Sequence, residues 1–79
     1  GIPGTSFHND CRIIEFKYFK SKDAGIVDQL EEAHLEDAQQ VKAYAADMQK
    51  AYPRYQIKAY VAYIAGNKAC KIFEKKSND

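Results

Sequence analysis

The chain has 79 residues, 46% of them hydrophobic and 29% charged, with a formal net charge of +1. That length makes one small domain that buries only about 60–65% of its unfolded surface, and the near-neutral balance excludes a molecule-wide attraction for nucleic acid. No stretch approaches the roughly 20 apolar residues of a membrane span, and the N-terminus lacks the basic-then-apolar pattern of a secretory signal.

Residues 1–10 read as an irregular segment, with Gly1-Ile2-Pro3-Gly4-Thr5-Ser6 a loop or an appended remnant and Asn9-Asp10 a turn. His8 falls in this segment and receives no role. The run Ile13-Ile14-Glu15-Phe16-Lys17-Tyr18-Phe19 then predicts a strand over about 11–19, because β-branched and aromatic residues fit a pleated surface. Side chains alternate along a strand, so Glu15 and Lys17 share one face and Ile14, Phe16 and Tyr18 the other. A carboxylate and an ammonium inside an apolar run point to a partly enclosed site.

Ser21-Lys22-Asp23 reads as a linker in which Ser21 or Asp23 caps a helix. From about 24 to 51 the composition is rich in Ala, Glu, Gln, Lys and Leu and predicts one long helix. On a helical wheel Leu30, His34, Asp37, Val41, Tyr44, Met48 and Tyr52 fall near one line, most of it core-facing. Within that line His34 and Asp37 lie one turn apart and are expected to form a hydrogen-bonded structural pair near Gln40 rather than a metal site. Pro53 ends the helix, with Tyr52-Pro53-Arg54 as the exit turn.

Gln56 to Ala65 alternates as a second strand, Gly66-Asn67 reads as a two-residue hairpin turn, and Lys68 to Glu74 as a third strand. The order strand, helix, strand, hairpin strand implies a parallel pair joined by a crossover, with an antiparallel neighbour added. The fold class is therefore α/β (α+β): a β-α-β-β unit with a three-stranded mixed sheet covered on one face by a long helix. A single ordered unit over 11–75 and a polar tail over 76–79 follow. One helix covers one face only, which leaves Tyr, Phe and Val side chains seeking cover.

Cys11 and Cys70 are too few for a disulfide framework and lack zinc-ligand spacing, so both are expected as reduced, half-buried thiols in a cytoplasmic protein. A local polyanion contact would use Lys17, Lys20 and Lys22. Lys68, Lys71, Lys75 and Lys76 read as ordinary solvated lysines that blunt a sheet edge. The six tyrosines can stack on bases, although packing in the core or an interface is the expected use.

Two motifs join these elements. Ile13-Ile14-Glu15-Phe16-Lys17-Tyr18 resembles the E-x-K strand of the PD-(D/E)XK nuclease superfamily, and Gln40-Val41-Lys42-Ala43-Tyr44 resembles the Q-x-x-x-Y helix motif of its RecB-like branch. Arg54 to Val61 is similar to the strand that follows, so the resemblance spans roughly 11–74. In particular it looks like the C-terminal half of the nuclease-like domain attached to predicted bacterial AAA-ATPase-like proteins. Each motif is weak alone; their order raises the value of both.

The resemblance implies a partial restriction-endonuclease-like fold and metal-dependent hydrolysis of DNA. Glu15 and the backbone carbonyl of Phe16 would hold Mg²⁺ or Mn²⁺. Lys17 would orient or activate the attacking water, and Gln40 and Tyr44 would position the site or contact the nucleic-acid backbone. The superfamily draws a second acidic ligand from a strand upstream of E-x-K. Asp10 is the only acid upstream of Glu15 in this sequence and makes a poor substitute, being at the end of the same strand. A single carboxylate holds Mg²⁺ weakly, so the chain by itself is expected to be inactive.

A second reading, of a different class, is a non-catalytic interaction module that forms a homodimer through its bare sheet face. An ATPase domain of a parent protein is a further expected partner, and a membrane is not. A sequence-specific DNA-binding protein fits poorly, since no basic recognition helix or helix-turn-helix spacing is present.

Overall fold

The computed structural model describes residues 9–76. Strand β1 (Asn9–Phe19) leads through a 3-10 turn (Ser21–Asp23) into a short helix α1 (Ala24–Asp28). A longer helix α2 (Leu35–Ala51), strand β2 (Tyr55–Ala65) and strand β3 (Ala69–Lys75) follow. The sheet has the order β1-β2-β3, with β1 parallel to β2 and β3 antiparallel to it. This is the three-stranded mixed sheet that the order of elements implied, an α+β arrangement consistent with a partial restriction-endonuclease-like fold.

Alternation sorts the side chains of the sheet cleanly. Cys11, Ile13, Glu15, Lys17 and Phe19 of β1 are half-buried, while Ile14, Phe16 and Tyr18 are exposed. Register carries the pattern across the sheet: Glu15 lies opposite Val61, Lys17 opposite Tyr63, and Tyr63 in turn opposite Lys71 of β3. The covered face holds the core, in which Val27, Val41, Val61, Tyr63 and Ala65 are fully buried with Ala38, Ala45 and Ala59 beside them. Three valines at about 1.5–3 kcal/mol each form much of the apolar driving force of so small a core.

The single long helix expected over 24–51 is divided. Helix α1 stops at Asp28, and residues 29–34 form an irregular link before α2. Helical propensity is weak against tertiary packing. Here Leu30 and Ala33 pack against the core, and the His34 N–H is taken by the Tyr63 hydroxyl at 2.9 Å. The buried stripe of α2 runs through Ala38, Val41 and Ala45, turned partly away from the expected line, with Val41 common to both. Tyr44 and Tyr52, expected on the core-facing line, are each 48% exposed. Alanines at 38 and 45 let the helix lie close to the sheet, which leaves the bulkier tyrosines outside. Asp23 occupies the cap position of α1 without a side-chain hydrogen bond, and Ser21 lies in the preceding 3-10 turn.

Smaller corrections concern the ends. Asn9 and Asp10 are the first residues of β1, paired with Tyr55 and Gln56, rather than a turn. The hairpin has three residues between its strands, since Ala65 pairs with Ala69, although its turn still closes through Lys68 N–H to the Ala65 carbonyl at 3.0 Å. Gly66 opens it at φ 53°, a left-handed backbone that L side chains rarely adopt. Cys11 and Cys70 are free, the first half-buried and the second exposed, on strands separated by β2. The expected irregular segment 1–8 and the tail 77–79 lie outside the described residues. Among the described residues, no helix is long and apolar enough to cross a membrane.

Candidate active site

Among the described residues strand β1 lies at the edge of the sheet, and its covered side presents Glu15 and Lys17 beneath the first turn of α2. Glu15 Oε1 and Lys17 Nζ are 3.6 Å apart, and Asp37 Oδ1 approaches the same Nζ to 3.5 Å. The three side chains are 26%, 36% and 14% exposed, so the group is semi-enclosed rather than solvated. One ammonium thus lies between a carboxylate from its own strand and a carboxylate from the helix.

Tyr63 anchors the second carboxylate. Its ring is buried between Phe19, His34 and Phe73 at centroid distances of 6.2, 5.3 and 6.0 Å. A buried phenol needs a partner for its hydroxyl, and here it has two: it donates to Asp37 Oδ2 at 2.5 Å and accepts the His34 N–H at 2.9 Å. Burial first, then the hydrogen bond to Asp37, pushes the Tyr63 hydroxyl up to about 12. The His34 side chain adds a contact of 3.7 Å from Nδ1 to Asp37 Oδ2. His34 and Asp37 do come together, but the hydrogen bonds that join them run through the Tyr63 hydroxyl rather than directly between their side chains.

This arrangement is a capping box with a hydroxyl inserted. In the usual box an acidic side chain at the third helical position reaches back to the N–H of the cap residue. Here His34 is the cap residue of α2 and Asp37 stands at that third position, but the Tyr63 hydroxyl bridges them. The signal was available in the sequence: Tyr63 falls on the inward alternation of β2, where its hydroxyl requires a polar partner.

Gln40 and Tyr44 are both exposed, and Gln40 Nε2 donates to the Tyr44 hydroxyl at 3.4 Å. Residues three and four apart share a helix face, so the stripe that starts at Asp37 beside Lys17 continues through Gln40 to Tyr44. Asp10 lies on the exposed alternation of β1, opposite to Glu15, and cannot share a cation with it.

The donors suit a divalent cation only as a sparse set. Mg²⁺ is commonly held by one or two carboxylates, waters and substrate phosphates. Glu15, with one oxygen 3.6 Å from the Lys17 ammonium, offers one carboxylate, whereas both Asp37 oxygens are engaged, by Lys17 and Tyr63. Among the described residues, no group of three or more His, Cys, Asp or Glu side chains converges.

No curated protein and no solved structure matches the chain. A family model does match, over residues 2–74, and its description is the PD-(D/E)XK nuclease superfamily. That span includes Glu15, Phe16, Lys17, Gln40 and Tyr44, and it exceeds the roughly 11–74 inferred from motifs. With E-x-K on a half-covered edge strand and Q-x-x-x-Y on the helix that follows it, the chain belongs to the PD-(D/E)XK nuclease superfamily.

Proposed function

We propose that the chain carries a half-site for metal-dependent hydrolysis of DNA, with Glu15 and the Phe16 carbonyl as cation ligands and Lys17 as the group that orients water. The observation that carries this reading is the Glu15–Lys17 pair, 3.6 Å apart and half-covered by α2 on an edge strand. A bound Mg²⁺ or Mn²⁺ would polarise the phosphate and lower the pKa of its water. The Lys17 ammonium offsets charge that develops on the phosphate oxygens. Gln40 and Tyr44, exposed on the stripe that begins at Asp37, contact the nucleic-acid backbone.

The scarcity of carboxylates supports weak cation binding, and with it little or no cleavage by this chain alone. The test is hydrolysis of labelled single-stranded and duplex DNA with Mg²⁺ or Mn²⁺. Weak, metal-dependent cleavage that disappears in Glu15→Ala and in Lys17→Ala supports the reading. Absence of both cation binding and cleavage, even when the chain is joined to an upstream segment bearing an acidic strand, overturns it. A cytoplasmic setting and an ATPase domain in the parent protein belong to the same reading.

A second reading is favoured by a separate observation. Ile14, Phe16, Tyr18 and Ile72 are 42%, 47%, 76% and 62% exposed on the face that α2 leaves bare. Contiguous apolar surface of this kind marks an interaction site, and a second copy of the chain is the occupant proposed. Sedimentation at micromolar concentration decides it: a dimer supports association through the sheet, and a monomer counts against it.

A further inference from the structure

We propose that Asp37 is the positioning residue for Lys17, held in place by Tyr63. The proposal rests on the reading of Lys17 as the water-orienting amine and adds the question of what aims that amine. Lys17 has four rotatable side-chain bonds on a strand at the sheet edge, so the strand alone does not fix its ammonium. Its nearest charge by sequence, Glu15, is the residue assigned to the cation, and a carboxylate that gives its oxygens to a metal has less to offer an amine. Asp37 is the carboxylate that remains.

Three features of the fold fit Asp37 to this task. It comes from a different element than Lys17, so it restrains the ammonium from across the cleft rather than along the strand. Its Oδ2 is fixed by the 2.5 Å bond from Tyr63, which leaves Oδ1 directed at Lys17 Nζ at 3.5 Å. Tyr63 itself cannot drift, being fully buried and committed through its hydroxyl to both His34 and Asp37. Register completes the arrangement, since Lys17 and Tyr63 are directly paired residues of parallel strands and point to the same side. The first turn of α2 favours a carboxylate there through the helix dipole.

A purely structural role would confine Asp37 to Tyr63 and His34, with Lys17 indifferent to its charge. The two roles separate in Asp37→Asn, which keeps an oxygen able to accept from Tyr63 and removes the charge facing Lys17. The measurement is the ¹H–¹⁵N correlation of lysine side-chain ammonium groups on the metal-free chain. Ammonium protons of free lysines exchange with water and their signals vanish near neutral pH, whereas a held ammonium persists.

The expected result is a Lys17 signal that survives in the wild-type chain and in Glu15→Gln and is lost in Asp37→Asn. Tyr63→Phe, which keeps every charge and removes only the hydroxyl that fixes Asp37, is expected to weaken the signal, and it serves as the second variant should Asp37→Asn not fold. A Lys17 signal that is absent from the wild-type chain, that persists unchanged in both Asp37→Asn and Tyr63→Phe, or that is lost in Glu15→Gln alone overturns the proposal. These arms require no cleavage, so an inactive chain would count against the nuclease reading while the Lys17 spectra still decide the role of Asp37. Where cleavage is measurable, Asp37→Asn is expected to lower kcat by about tenfold to a hundredfold, the scale of a small misplacement of a reacting group, with KM for DNA little changed.

Discussion

Tyr63 and Asp37 meet hydroxyl to carboxylate at 2.5 Å, and that contact ties the middle strand of the sheet to the first turn of the helix above it. The phenol is buried, its hydroxyl is satisfied on both sides, and the carboxylate it holds faces the lysine of the E-x-K strand. Stability and the candidate site therefore share one residue that neither family motif includes.

Tyr63→Phe should destabilise the fold by about 1–3 kcal/mol, because it takes the hydroxyl partner from a half-buried carboxylate oxygen and from the His34 N–H. Urea unfolding followed by circular dichroism checks this. The ring contacts with Phe19, His34 and Phe73 remain in the variant, so the loss reports the hydroxyl rather than a cavity.

The same hydroxyl predicts an alkaline limit. Its pKa is raised from 10.0 to about 12, first by burial and then by the hydrogen bond to Asp37, so the folded state prefers the neutral phenol. A raised folded value means that this contribution is fully present below pH 10 and is lost as pH rises from about 10 to about 12. Two units correspond to about 2–3 kcal/mol at most. The difference in unfolding free energy between the wild-type chain and Tyr63→Phe, followed from pH 8 to 12, should be flat to about 10 and then shrink. A constant difference across that range would contradict the assignment.

Gly66→Ala should cost about 1–3 kcal/mol, since φ 53° places an alanine in the left-handed region. A Cβ at this position would also meet Ser21 Oγ, with Ser21 Cβ at 3.2 Å behind it. The hydroxyl can rotate away, so backbone strain sets most of the cost. Gly66→Asn, a residue more tolerant of that region, should therefore cost less than Gly66→Ala when both are compared by thermal unfolding.

Period-two alternation makes the sheet legible in the sequence: it assigns Glu15 and Lys17 to one face and Ile14, Phe16 and Tyr18 to the other, as the strand has them. Pro53 likewise announced the end of α2, where Gln49 Nε2 adds hydrogen bonds to the carbonyls of Tyr52 at 3.2 Å and Tyr55 at 2.8 Å. What escaped was decided by tertiary contacts. The link over 29–34 has good helix formers and is nevertheless opened by the docking of Leu30, Ala33 and His34 on the sheet. That break is invisible to propensity, and a helical wheel alone does not tell the small alanines at 38 and 45, which α2 buries, from the tyrosines at 44 and 52, which stay at the surface. Asp37 was visible as a polar residue on an inward stripe. Its tie to Lys17 was not, because it depends on Tyr63, a residue 26 positions further along the chain.

The most direct measurement follows Mn²⁺-induced line broadening of backbone amides in the presence of a short DNA. The account predicts broadening centred on Glu15, Phe16 and Lys17, abolished in Glu15→Gln. Broadening centred on any other part of the sheet, or unchanged in that variant, would show that the edge-strand acid does not bind the cation.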